Sequence, residues 1–205
     1  MQGYILNTVK VKDEDMIVTL LTQKRLKTVY RFYGARHASI HLGYKLDFEI
    51  RTSVKSSIGM LRDVLHLGSP WLSDVKKFYY WQQFIKLLYR HLQDIEEVDA
   101  FYFELLETMN RKFTRQNPIR TLVEGYLHLL SHEGRLHEDF ICFLCNEAID
   151  TETVLTRGFL PAHPSCLYAQ TFSTEALRTL FATKSTLFLS DHEVEKLWSI
   201  IRQGL

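Results

Sequence analysis

Tyr44-Lys45-Leu46-Asp47-Phe48-Glu49-Ile50-Arg51 alternates without a fault: Tyr44, Leu46, Phe48 and Ile50 fall on one face, and Lys45, Asp47, Glu49 and Arg51 on the other. A period of two is that of a strand with one side in a core and one in water. The neighbouring segments read the same way. Tyr4-Ile5-Leu6 opens a strand, and Asp13-Glu14-Asp15 supplies a turn. Met16 to Leu21 is a largely apolar strand with Ile17, Val18 and Thr19. A polar turn at Gln23-Lys24-Arg25 leads into a strand from Leu26 to Tyr33. A further short strand is expected over Ile58–Leu65, with Gly59 able to bend it. Five short strands within about 70 residues and no intervening helix suggest a small barrel. Closure would remove the sheet edges that otherwise aggregate.

Gly68-Ser69-Pro70 punctuates a change of period. From Ser73 onward Phe78, Trp81, Ile85, Leu88 and Leu92 form a helical stripe, and Val98, Phe101, Leu105, Met109 and Phe113 a second one. Asn117-Pro118 is an N-cap followed by proline at the first helical position, and it starts a third helix with Leu122, Tyr126 and Leu130. A shorter helix is expected after Ser173. Ser190 and Glu193 form a capping box for the last helix, with Val194, Leu197, Trp198 and Ile201 apolar. The expected organisation is α+β, with a β-barrel over residues 1–68 and an α-helical domain over 69–205. The latter contains an irregular, zinc-finger-like insert near residues 140–168.

All three cysteines lie in that insert. Cys142 and Cys145 form CFLC, and His163 and Cys166 follow in HPSC, giving Cys-x2-Cys-x17-His-x2-Cys. Two intervening residues let each pair wrap one side of an ion, so the spacing fits a four-coordinate structural Zn2+. Three thiolates and one imidazole leave no open position for substrate. The competing readings are weaker. A redox pair would call for a βαβ setting, a cytoplasmic disulfide would leave one cysteine over, and His163 could merely cap a turn beside an unrelated Cys166.

The chain is 46% hydrophobic, enough for real cores, and its net charge is only +1. The distribution is uneven. Residues 1–68 carry 11 Lys and Arg against 6 Asp and Glu, and the remainder carries 14 against 18. No acidic residue lies between Asp15 and Asp47, where Lys24, Arg25, Lys27, Arg31, Arg36 and Lys45 all fall. A polyanion is the expected partner of this half, although a solvated basic face would look similar. Lys27 and Arg31 share a strand face with Val29 and Tyr33. If that face is outward, it sets cations beside an aromatic ring, as single-strand binding requires. Arg36, His37 and His41 follow in a glycine-bounded loop. Arg111, Lys112, Arg115 and Arg120 form a second cluster that would extend a DNA path or meet an acidic protein, but Arg111 and Lys112 read as cations favoured at a helix C-terminus, which leaves Arg120 the more suggestive.

Enzymatic chemistry finds no candidate. There is no P-loop, no Gly-x-Ser-x-Gly and no His-Glu-x-x-His. The acidic runs Asp13-Glu14-Asp15 and Glu96-Glu97 read as turn and helix-start residues. His132, Glu133, His137, Glu138 and Asp139 read as a solvated helix-to-loop transition. The longest apolar runs are too short to cross a bilayer, and the N-terminus lacks the pattern of a signal peptide, so a cytoplasmic, non-membrane protein is expected.

Four features together resemble the RecO family of DNA-repair proteins. They are GYIL followed by VKDEDMIVTLLT to Thr22; YRFYGARH, with Gly34-Ala35-Arg36 and then Ser39 and Leu42; PIRTLVEGYLHLL leading into CFLC; and the paired-ligand spacing. The resemblance spans nearly the whole chain. It implies an oligonucleotide-binding (OB) fold followed by a helical domain with a zinc module. It also implies a nucleoid-associated, non-enzymatic recombination mediator that binds single-stranded and duplex DNA and anneals complementary strands. With RecR, such a mediator loads recombinase onto strands coated by single-stranded-DNA-binding protein. The expected DNA contacts are Lys24, Arg25, Lys27, Arg31, Arg36, His37 and Lys45. Arg120, with Arg115, would contact the coating protein's acidic C-terminal tail. Three departures stand out: Lys24-Arg25 replaces the usual turn glycine, His163 replaces a cysteine, and no basic tail precedes Leu205. The alternative is a zinc-stabilised protein–protein adaptor that does not touch DNA.

Overall fold

The computed structural model describes every residue except 37, 54 and 55, and every side chain but those and residues 53 and 56. The chain forms two compact units, Met1–Thr114 and Arg115–Leu205.

Five strands open the first unit: β1 (Gln2–Lys10), β2 (Met16–Leu21), β3 (Leu26–Arg31), β4 (Lys45–Ser53) and β5 (Ser56–His66). They close into a barrel in the order β1-β2-β3-β5-β4, an OB-like arrangement. Every pairing is antiparallel except β3 with β5. The alternation across Tyr44–Arg51 holds: Leu46 and Phe48 are buried, Ile50 packs against the core, and Glu49 and Arg51 are exposed. Ile5, Val18, Leu20, Val29, Ile40 and Leu61 complete the interior.

Strand bounds differ from expectation, notably in β3 and β5. β3 stops at Arg31 rather than Tyr33, because Tyr33 takes a left-handed backbone (φ 52°) and its N–H turns to Asp15 Oδ1 at 2.7 Å. β5 is longer than expected, and Gly59 serves close packing. A Cβ there would sit 2.6 Å from Ile50 Cγ2 on the neighbouring strand.

The first unit also contains α1 (Val75–Leu92) and α2 (Ala100–Phe113), capped by the carboxylates of Asp74 and Asp99. α1 anchors on the barrel through Trp81, which is fully buried and whose Nε1–H donates to the Gly43 carbonyl at 2.8 Å. Gly43 has φ 84°, and any Cβ would lie 2.7 Å from the Trp81 ring. Only glycine fits both the backbone and the contact. The short segment before α2 is stitched to the β2–β3 turn: Leu26 N–H donates to Glu96 O and Val98 N–H to Lys24 O, both at 3.0 Å.

The second unit holds α3 (Pro118–His132), α4 (Thr174–Thr183) and α5 (Asp191–Ile201). The expected caps are present at Asn117 and Ser173, and the Ser190–Glu193 capping box is reciprocal. The insert is more regular than its sequence suggests. It contains a small antiparallel sheet of β6 (Glu152–Leu155), β7 (Pro161–Ala162) and β8 (Thr171–Ser173), in the order β7-β6-β8. Among the described residues, no helix is long and apolar enough to cross a membrane.

Candidate functional site

Two sites are built from different elements. In the second unit, Cys142 and Cys145 sit on a tight turn in which Asn146 N–H returns to Cys142 O at 2.8 Å, with Asn146 in the left-handed region (φ 63°). Strand β7 delivers the other pair, and His163 O accepts from Cys166 N–H at 3.0 Å. Phe143 N–H to Pro161 O, at 3.0 Å, ties the two halves together. The three Sγ atoms and one imidazole nitrogen all lie within 4.8 Å of one another. A tetrahedral Zn–S centre has edges of about 3.8 Å, so the donor set fits an ion.

The imidazole tautomer is fixed by its surroundings. Nε2 lies 3.0 Å from the Ala148 carbonyl, which can only accept, so Nε2 carries the proton. Nδ1, 3.3 Å from Cys145 Sγ, then presents its lone pair to the centre. Backbone carbonyls orient metal-binding histidines in this way in general. At Cys142, burial disfavours the thiolate, but N–H groups of Cys145, His163 and Leu144 outweigh it and bring the thiol down to about 6. Cys142, Ile149 and Ala162 form a small buried cluster under the site. Cys142, Cys145, His163 and Cys166 could therefore hold a metal ion. Among the described residues, the run from His132 to Asp139 forms no such cluster.

The second site is on the barrel. The β2–β3 turn brings Lys24, Arg25 and Lys27 to a groove of about 560 Å3, together with Met1, Gln2, Thr22, Gln23 and Phe103. Arg25 pairs with Glu97 at 2.9 Å on the exposed rim, while Lys24 and Lys27 have no acidic partner among the described residues. The other expected contacts are placed differently. Lys45 points into the unit, only 15% exposed, and pairs with Glu107 at 2.9 Å. Arg36 pairs with Glu14 and lies over the Tyr33 ring. His37 lies outside the described residues.

The expectation of an outward Lys27–Arg31 face is corrected. Val29 is buried in the barrel core, so its face is the inner one, and Lys27 and Arg31 flank it. Arg31 Nη1 donates to Leu61 O at 2.9 Å. The outer face of β3 carries Thr28 and Tyr30 instead.

Arg120 makes contacts within its own unit. Its guanidinium donates to the carbonyls of Thr186 and Leu189 and to Asp191 Oδ1 at 2.7 Å, clamping the loop between α4 and α5. Glu124, one turn along α3, accepts from Thr186 N–H and Oγ1–H on the same loop. Arg120→Ala should therefore lower the stability of the second unit by about 2–3 kcal/mol, the range for lost hydrogen bonds to a charged group. Hydrogen exchange would locate the loss at residues 184–190. Unchanged protection there would contradict the clamp. Arg115, by contrast, is exposed.

Residues 1–72 match the family model described as RecO N terminal. The barrel is thus similar to a RecO N-terminal domain. The match supports a RecO-family protein with a role in recombination and repair, and an OB-like RecO barrel supports DNA binding. The RecO N-terminal match ends within the 3-10 turn Pro70–Ser73, just before α1. No curated protein matches the chain significantly.

Proposed function

We propose that this protein is a non-enzymatic recombination mediator of the bacterial cytoplasm. It binds single-stranded DNA, anneals complementary strands, and acts with RecR to load recombinase onto strands coated by single-stranded-DNA-binding protein. The observation that carries the reading is the RecO N-terminal barrel with Lys24, Arg25 and Lys27 gathered at one groove. Cations there offset phosphate repulsion as two strands approach, so annealing proceeds without ATP. Zn2+ at Cys142, Cys145, His163 and Cys166 secures the second unit and takes no part in the strand chemistry.

Salt dependence tests this reading. Each phosphate contact on a single strand contributes about 0.7 to the slope of log affinity against log salt. Replacing Lys24, Arg25 and Lys27 with alanine should therefore flatten the slope by roughly 2 and slow annealing. An unchanged slope would remove these three residues from the DNA path. A wild-type protein that retains no single-stranded DNA on filters at low salt would favour the adaptor reading instead.

A further inference from the structure

The parallel pairing of β3 with β5 sets Val29 beside Gly59 and Tyr30 beside Met60. Just beyond it, Arg31, Phe32 and Tyr33 from one segment and Met60, Leu61 and Arg62 from the other line a groove of about 360 Å3. That volume lies within the range of small-ligand clefts. The groove is distinct from the one containing Lys24, Arg25 and Lys27.

Its lining is unusual for a barrel surface. Phe32 and Tyr33 are 46% and 57% exposed, with Arg36 over the Tyr33 ring. Tyr33 has a left-handed backbone (φ 52°), which aromatic residues rarely adopt. Asp15 enforces that conformation: Oδ1 accepts Tyr33 N–H, and Oδ2 accepts Tyr30 O–H at 2.5 Å. Tyr30 in turn stands against Phe32 in a T-shaped contact at 5.0 Å. The exposed rings are thus held by specific bonds.

The cations beside them are under-satisfied. Among the described residues, Arg31 Nε is buried without a hydrogen-bond partner, and Arg62 Nε meets the weakly accepting Met60 sulfur at 3.1 Å. Burial, and then the neighbouring Arg62 charge, press the Arg31 guanidinium toward its neutral form, with Asp63 opposing. An anion between the two would relieve that repulsion.

We propose that this groove is a subsite for one unpaired nucleotide. Its base stacks on Phe32 and Tyr33, and its phosphate is met by Arg31 and Arg62. The proposal rests on the reading of the barrel as a single-strand binder. Stacking is indifferent to base identity, because every base has a π face, so the subsite takes any sequence. It also discriminates against intact duplex, whose bases are already stacked and paired.

The test uses the full chain and two oligomers of equal length, oligothymidine and an abasic backbone, with binding read by fluorescence anisotropy. Wild type should prefer oligothymidine. Phe32→Ala should weaken oligothymidine binding by about tenfold, within the span for one base–aromatic stack, and leave abasic binding unchanged. Phe32→Trp should restore the preference, and Arg62→Ala should weaken both oligomers. A Phe32→Ala protein that keeps the preference, or loses affinity equally for both oligomers, would overturn the subsite and leave the barrel's DNA reading standing. So would competition by an acidic peptide at Phe32 with no effect on base preference. Failure of wild type to bind either oligomer would overturn both.

Discussion

Stripping the metal should leave the second unit without its closed module. In small zinc modules, ion binding supplies on the order of 10 kcal/mol of folding free energy. Here the four candidate ligands would join a turn at 142–146 to the segment after β7. The sheet linking them is small, with a two-residue β7 and a three-residue β8. Beneath the site, Cys142, Ile149 and Ala162 form a small buried cluster. That cluster alone offers the turn at 142–146 little support, while Phe140 and Phe159 pack on Phe181 and Tyr126 away from the ligands. We expect one zinc per chain by elemental analysis. A strong chelator, or Cys142→Ala, should abolish zinc content and expose amides between residues 140 and 168 to rapid exchange. The barrel's amides, in the first unit, should keep their protection. A folded protein with no zinc and a stable module would refute the metal's role.

The second large effect is expected at Gly43. Gly43→Ala forces a side chain onto a backbone with φ 84° and drives a Cβ to 2.7 Å from Trp81. Left-handed strain costs roughly 1–2 kcal/mol, and overpacking against a buried ring adds about 1–3 kcal/mol. The sum is a large share of a small unit's stability, and a thermal melt should fall by roughly 10 °C or more. Trp81→Phe, which orphans the Gly43 carbonyl and leaves a cavity at a fully buried position, should cost about 2–4 kcal/mol. Because the two residues touch, their effects should not add in the double variant. Unchanged melting of Gly43→Ala would show that α1 does not depend on this contact.

Much of this architecture is legible in the sequence, for identifiable reasons. Alternation across Tyr44–Arg51 is a local signal, as are the caps at Asn117 and Ser190 and the paired spacing of the metal ligands. Each needs only neighbours within a few residues. What was not legible depends on distant partners. Alternation in β3 defines two faces but cannot say which one is inside; Val29, not Tyr30, proves to be the core residue. Arg120 reads as a free cation because its acceptors are carbonyls of Thr186 and Leu189, more than sixty positions away. Strands β7 and β8 are too short to show a period. The groove at Phe32, Tyr33 and Arg62 exists only because β3 and β5 run parallel, a pairing with no signature in either strand.

That same parallel pairing has a kinetic consequence. No hairpin can join β3 to β5, and β1 closes on β4 across some forty residues, Gln2 opposite Asp47. The barrel is therefore rich in sequence-distant contacts, whose loop-closure entropy must be overcome before they stabilise anything. During synthesis β1 to β3 can form as a meander, but their apolar face stays uncovered until His66 has left the ribosome. The chain is thus most exposed to aggregation while its barrel is half built. Folding of the first unit should fall toward the millisecond-to-second range of β-rich domains.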